Sequence, residues 1–290
     1  GHVPAHPRGR VAGRVTATEE SRPAVWAGVE ASYLTVRGDI RDQLAATGHA
    51  TRPDDIERLA GLGVRAVRYP ILWGRGGTDT DWAWADARMA ALRRAGVEAI
   101  VGCLHHGWGP RGVDPLDPDY PDRLAAFVLA VARRYPDART FLPVNEPLTT
   151  ARFAGLYGWW DPGARDDGTF ARLIVAQCLA IQVACRVLRR HDPTLRIIAN
   201  EDAGKTDGEP ALRAIIDHYN DRRWLTFDLL TGRVRPGHPL WDYLRTHLRS
   251  DRGLGTLADA PAMPDVLGID YYVTSDRFLR RRATEPDQWP

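Results

Sequence analysis

Ala24-Val25-Trp26-Ala27-Gly28-Val29-Glu30-Ala31-Ser32-Tyr33 reads as a short apolar strand over 24–29 that ends on a carboxylate. The residues just past that strand separate two parallel α/β architectures. An open, doubly wound dinucleotide sheet places a glycine-rich turn there. Glu30-Ala31-Ser32-Tyr33 is no such turn, and the Gly61/Gly63 pair precedes a strand, which suits a helix end.

Further along, apolar runs alternate with amphipathic stretches. Strands are predicted at 64–69, 97–104, 141–145, 195–200 and 266–272, with helices at 54–62, 82–95, 121–135, 173–188 and 211–220. The segment 147–168, rich in glycine and aromatics, reads as a long connection. In the helix over 121–135, Leu124, Phe127, Val128 and Val131 recur at helical spacing. Strand and crossover helix in alternation argue for a parallel sheet. Polar and aromatic residues collect just past the strand ends: Glu30, Arg68, His105 and His106, Asn145 and Glu146, Glu201 and Asp202, Asp270 and Tyr272. In a (β/α)8 barrel all those ends face one mouth, where the chemistry sits. The expected fold is therefore a (β/α)8 TIM-barrel type over 23–290, incomplete at about six βα units, with units seven and eight not present.

Composition agrees with a globular chain. Of 290 residues, 44% are hydrophobic and 26% charged, which excludes a wholly disordered protein. A formal charge of +2 implies no nucleic-acid surface. No uninterrupted apolar run reaches the ~18 residues of a membrane span; the most apolar stretch, 173–188, is broken by Gln177 and Gln182. Cys103, Cys178 and Cys185 sit in apolar surroundings without CxxC spacing, as buried reduced thiols of a cytoplasmic protein would. Residues 1–22, basic and without an apolar core, read as a flexible tail rather than a secretory signal.

The chemistry-bearing stretch is Leu142-Pro143-Val144-Asn145-Glu146-Pro147. A glutamate directly after a strand and before a proline projects from a rigid base, and an enclosed setting keeps it protonated, as a general acid requires. Asn145 beside it is a hydrogen-bond donor for a sugar hydroxyl. On the fifth strand, Glu201 and Lys205, the sole lysine among 39 basic residues, form either a charged subsite or a loop-ordering pair. Successive strand residues point to opposite faces, so His105 and His106 are not expected to share a metal, and no cofactor is called for. Trp73, Trp108, Trp159 and Trp160 are candidates to line the mouth. Arg280-Arg281-Arg282 reads as a solvated basic cluster.

Together these residues resemble glycoside hydrolase family 1, the β-glucosidase family. Asn145-Glu146-Pro147 is similar to its acid/base strand, and Tyr157-Gly158-Trp159-Trp160-Asp161-Pro162-Gly163 to its downstream loop. Arg68 with Trp73, His106 with Pro110, and Gly268-Ile269-Asp270-Tyr271-Tyr272 match further motifs, the last with Asp for Asn. The resemblance spans roughly residues 24 to 280. It implies a hydrolase of β-linked sugars with Glu146 as acid/base, Asn145 on the 2-hydroxyl and His106 on the sugar. Arg68 and Tyr272 would orient the nucleophile. The family's nucleophilic glutamate, in a Thr-Glu-Asn-Gly context, has no counterpart. Its glutamine after the first strand is unmatched, with Glu30 offering a carboxylate nearby, and Gly107 stands where it has an aromatic. Glu201 and Asp270 are weak candidates to replace the nucleophile.

The other reading is a non-catalytic sugar-binding or scaffold domain. It resembles the amino-terminal part of fusions with dTDP-4-dehydrorhamnose-reductase-type domains, within a longer sugar-nucleotide-modifying protein. Expected partners are a carbohydrate or glycoside, with no nucleic acid and no membrane. A homo-oligomer or a C-terminal continuation would complete the barrel.

Overall fold

Among the described residues the first strand, at 26–28, pairs on one side only, with the strand at 66–70, and from there the sheet grows in chain order. The computed structural model describes residues 23–77 and 80–281. The expected tail, 1–22, lies outside the described residues, as does Arg282.

In chain order the strands are β1 (Trp26–Gly28), β2 (Tyr33–Val36), β3 (Asp39–Asp42), β4 (Ala66–Pro70) and β5 (Glu98–Gly102). They continue with β6 (Thr140–Leu142), β7 (Arg196–Asp202), β8 (Thr206–Gly208), β9 (Val266–Asp270) and β10 (Arg277–Leu279). Among the described residues, six of them form one parallel sheet in the order β1-β4-β5-β6-β7-β9. This is a partial (β/α)8 barrel with β1 and β9 as its open edges.

The first helices are α1 (Gln43–Ala46), α2 (Asp55–Gly61), α3 (Trp82–Arg94), α4 (Tyr120–Arg134), α5 (Pro147–Ala151) and α6 (Asp167–His191). After them come α7 (Arg213–Arg222), α8 (Leu225–Leu230), α9 (Trp241–His247) and α10 (Arg252–Asp259).

Strand periodicity sorts the side chains into two faces. Gly28, Arg68, Ile100, Thr140 and Arg196 lie side by side in register and set the inward parity. Ala66, Ile100, Leu142 and Ile198 form a small apolar layer inside, with Val266 against it. Below that layer Glu98 accepts from Thr140 (2.8 Å) and from Arg196 (2.6 Å). The outward residues Val67, Tyr69, Val101, Phe141, Ile197 and Ala199 join the main core with the helices. Each such side chain contributes about 1.5–3 kcal/mol of burial.

Helix α6 is the spine of that core. Asp166 caps its start by accepting from Thr169 N (2.7 Å), and Phe170, Leu173, Ile174, Cys178, Ile181, Cys185 and Leu188 are buried along it. At 25 residues it is long and apolar enough to cross a membrane, against the sequence reading, in which its glutamines count as interruptions. Both glutamines are instead absorbed internally. Gln177 donates to the carbonyls of Pro147 and Leu173, and Gln182 to those of Thr256 and Ala260. Two-thirds of the apolar window is buried, as in a core helix. The three cysteines are free and buried.

The predicted strands and helices form, with ends shifted by a few residues. Four features went unread: the β2–β3 hairpin, the β8–β10 pair, the helices α8 to α10, and order within 147–168. Pro147 opens α5 from the first helical position, where its missing N–H costs nothing. A π-turn (Arg152–Leu156) continues it.

Candidate active site

The upper inward layer is polar, and one side chain organises it. Asn200, on the inward parity of β7, donates from Nδ2 to Asn145 Oδ1 (2.8 Å) and to Asp270 Oδ2 (2.5 Å). Its Oδ1 accepts from the Glu146 amide (3.3 Å). Its neighbour in register on β9 is Gly268, where an added Cβ would stand 2.7 Å from the Asn200 Cβ, so the absent side chain lets Asn200 lie across the strands. The sequence reading missed Asn200 as a site residue; its place two residues beyond inward Ile198 was the available signal.

Arg68 knits the first strands to this hub. It donates to Asn145 Oδ1 (2.6 Å) and to Glu30 Oε1 (2.7 Å), and lies 3.6 Å from Asp270 Oδ2. Glu30 Oε2 stands 3.5 Å from His105 Nε2. Contact with the His105 imidazole, then the charges of His105 and Arg68, hold Glu30 below the usual carboxylate range despite partial burial.

Glu146 is buried, 3% exposed, with its backbone in the left-handed region (φ 44°). Burial is the largest cause pushing its carboxyl well above the ordinary range. A hydrogen bond to the Asp270 carboxyl and the charges of Glu201 and Asp270 add to it. Glu146 therefore holds its proton at neutral pH and presents it to Asp270.

His106 Nδ1 is 3.0 Å from the Thr150 hydroxyl, which itself donates to the Glu146 carbonyl (3.0 Å). The hydroxyl's own proton being committed, Nδ1 carries the imidazole proton and Nε2 is an acceptor. That acceptor faces Asn145 Nδ2 (3.5 Å) and Glu146 Oε2 (3.9 Å). Burial pushes the His105 and His106 imidazoles below their usual range.

The expectation that the two histidines point to opposite faces fails. The strand ends at Gly102, His106 is left-handed (φ 62°), and the rings meet edge to face at 4.8 Å. Gly107 has a steric reason: a Cβ there would lie 2.1 Å from the Tyr33 carbonyl oxygen. Trp160 packs on His106 (4.9 Å), and Trp108 donates to the Asp161 carbonyl (3.0 Å). Tyr272 is half exposed beside the cluster, its hydroxyl proton held more tightly by burial and by the charges of Glu146, Glu30 and Asp270. A groove of about 650 Å³ opens next to Trp160 between the β2–β3 hairpin and α1, lined by Leu34, Val36, Ile40 and Gln43.

Two predicted site residues fall elsewhere. Glu201 has outward parity: its register partner is Ile269, and it is fully buried beneath α5, away from the mouth. Neighbouring strands bring it near Glu146 in sequence order, but period two turns it to the other face. Lys205 is exposed on the turn before β8, its amide bonded to Asp276 (2.6 Å).

The chain matches no family model. It is 23% identical over 192 residues to the probable inactive beta-glucosidase 14 of Oryza sativa subsp. japonica, which covers 61% of this chain and 37% of that protein. Among solved structures it is similar to the Thermotoga maritima β-glucosidase in complex with azafagomine, with a TM-score of 0.68, 21% identity, and coverage of 77% of this chain and 54% of that one. The same enzyme in complex with glucoimidazole gives a TM-score of 0.69 at 18% identity, covering 86% and 64%. The chain thus spans about half the length of the solved structures it matches and less of the rice protein. At these identities the likeness establishes the partial barrel fold. None of these names lends support to a reductase fusion.

Proposed function

We propose that this chain is a sugar-binding barrel segment that supplies the general acid/base, Glu146, for hydrolysis of a β-glycoside. The observation that carries the reading is the protonated, buried Glu146 carboxyl at the strand ends, flanked by Asn145, His106 and Arg68. A glycoside seated there takes the Glu146 proton on its leaving oxygen. Asn145 Nδ2 serves a ring hydroxyl, the neutral His106 Nε2 accepts from another, and Trp160 offers an apolar face for the sugar.

Asp270 is read as the partner that keeps Glu146 protonated. Hydrogen-bond contact is closer than the ~5–5.5 Å spacing of a double displacement, so no nucleophile is assigned among the described residues. A second reading, a sugar-binding domain without turnover, is favoured by the lack of an assigned nucleophile among the described residues.

Turnover of 4-nitrophenyl β-glucoside by the wild type and Glu146→Gln tests the first reading. Loss of the acid is expected to lower the rate about 10²–10⁴-fold. An equal rate in the variant rejects the assignment. A wild type that binds glucoimidazole without hydrolysing the aryl glucoside selects the second reading.

A further inference from the structure

Helix α5 starts on Glu146, and its first turn is not capped by its own chain. The Glu146 side chain makes no capping bond, and Pro147 has no N–H. That leaves the amides of Leu148 and Thr149 to be satisfied, Thr150 N bonding back to the Glu146 carbonyl (3.0 Å). The first of these donors ends on a side chain from the next strand: Glu201 Oε1 accepts from Leu148 N (2.6 Å). The Thr226 hydroxyl of α8 donates to the same oxygen (2.5 Å). Glu201 is 0% exposed, and Oε2 has no hydrogen-bond partner.

We infer that Glu201 is a positioning residue for Glu146: by capping α5 from strand β7 it holds Glu146 in the left-handed conformation that aims its carboxyl at Asp270 and the mouth. Consecutive residues of β7 then grip the loop from both faces. Inward Asn200 fixes the Glu146 amide, and outward Glu201 fixes the first amide beyond Pro147, that of Leu148. A left-handed backbone at a non-glycine residue is strained and persists only where its surroundings enforce it. The inference rests on the proposed role of Glu146.

Groups facing Glu201 are the Leu148 and Thr149 amides of α5, Thr226 of α8, Arg152 of the π-turn, Cys178 of α6 and Glu146 itself. Burial raises the Glu201 carboxyl to about 7, so at higher pH its charge stands behind Glu146 and opposes ionisation there.

The test uses the full chain labelled with ¹⁵N and with ¹³C at the glutamate carboxyls, the Glu146 signal being assigned by its loss in Glu146→Gln. In Glu201→Leu the Leu148 amide is expected to exchange about tenfold faster or more, one charge-assisted hydrogen bond being lost. In Glu201→Gln, which keeps the acceptor and removes the charge, protection of that amide is expected to return towards wild type. The Glu146 titration is expected to move to lower pH by roughly half a unit or more.

Unchanged exchange in Glu201→Leu overturns the inference. So does Leu148 amide protection that stays lost in Glu201→Gln, which is read alone if the leucine variant does not fold. Neither readout involves a glycoside, so a protein that hydrolyses nothing still tests the positioning role.

Discussion

Glu146 and Glu201 both bind a proton more tightly in the fold than in an unfolded chain, and this fixes the sign of a pH dependence. Their contribution to stability is full below about pH 4.5, the ordinary carboxyl value, and is lost as pH rises through the folded values. For Glu201 the rise from 4.5 to about 7 corresponds to about 3 kcal/mol; the window for Glu146 lies higher. Urea unfolding from about pH 5 to about pH 8 is expected to show falling stability, less steep in Glu201→Gln and in Glu146→Gln. Parallel slopes in wild type and variants would contradict the burial argument. Asn200→Leu should cost about 1–3 kcal/mol, because the Glu146 amide and the Asp270 and Asn145 oxygens lose their shared partner. A urea midpoint unchanged in that variant would remove Asn200 from the centre of the site.

At the scale of elements, alternation along a strand predicts different costs for similar substitutions. Ile197 on β7 and Leu267 on β9 both point outward. The first is 1% exposed under the helices, and the second is 57% exposed. Ile197→Ala is expected to cost about 2–5 kcal/mol, and Leu267→Ala under about 0.5 kcal/mol, by the same denaturant measurement. Equal costs would mean that β9 is covered.

The same alternation explains what the sequence disclosed. Apolar runs and helical spacing placed the six parallel strands and the long helices, and Asn145-Glu146-Pro147 stood out because a carboxylate between a strand and a proline has little conformational choice. Glu201 was misplaced because nearness in strand order was weighed without parity. His105 and His106 were misjudged because the strand rule was extended past His105, whose bridge to Asn145 is the last sheet contact before the chain turns left-handed at His106. The cap of α5 was unreadable locally, since it arrives from 53 residues away.

For the molecule as a whole, the decisive feature is the open barrel. Among the described residues β1 and β9 each pair on one side, and Trp26, Ile269, Tyr271 and Val273 are exposed on or just beyond those strands. Unpaired parallel edges with apolar flanks favour association. Light scattering on the purified chain is expected to give a mass above 32.3 kDa, and a monodisperse monomer would count against this.

Every functional conclusion depends on a sugar site served by the Glu146 proton. Calorimetric titration of glucoimidazole into the wild type and into Glu146→Gln at neutral pH addresses it most directly. Binding by the wild type, weakened about three- to tenfold in the variant, is the predicted result, since the hydrogen bond from the neutral acid is worth about 0.5–1.5 kcal/mol. Equal affinity in the two proteins, or no binding to either, would contradict it.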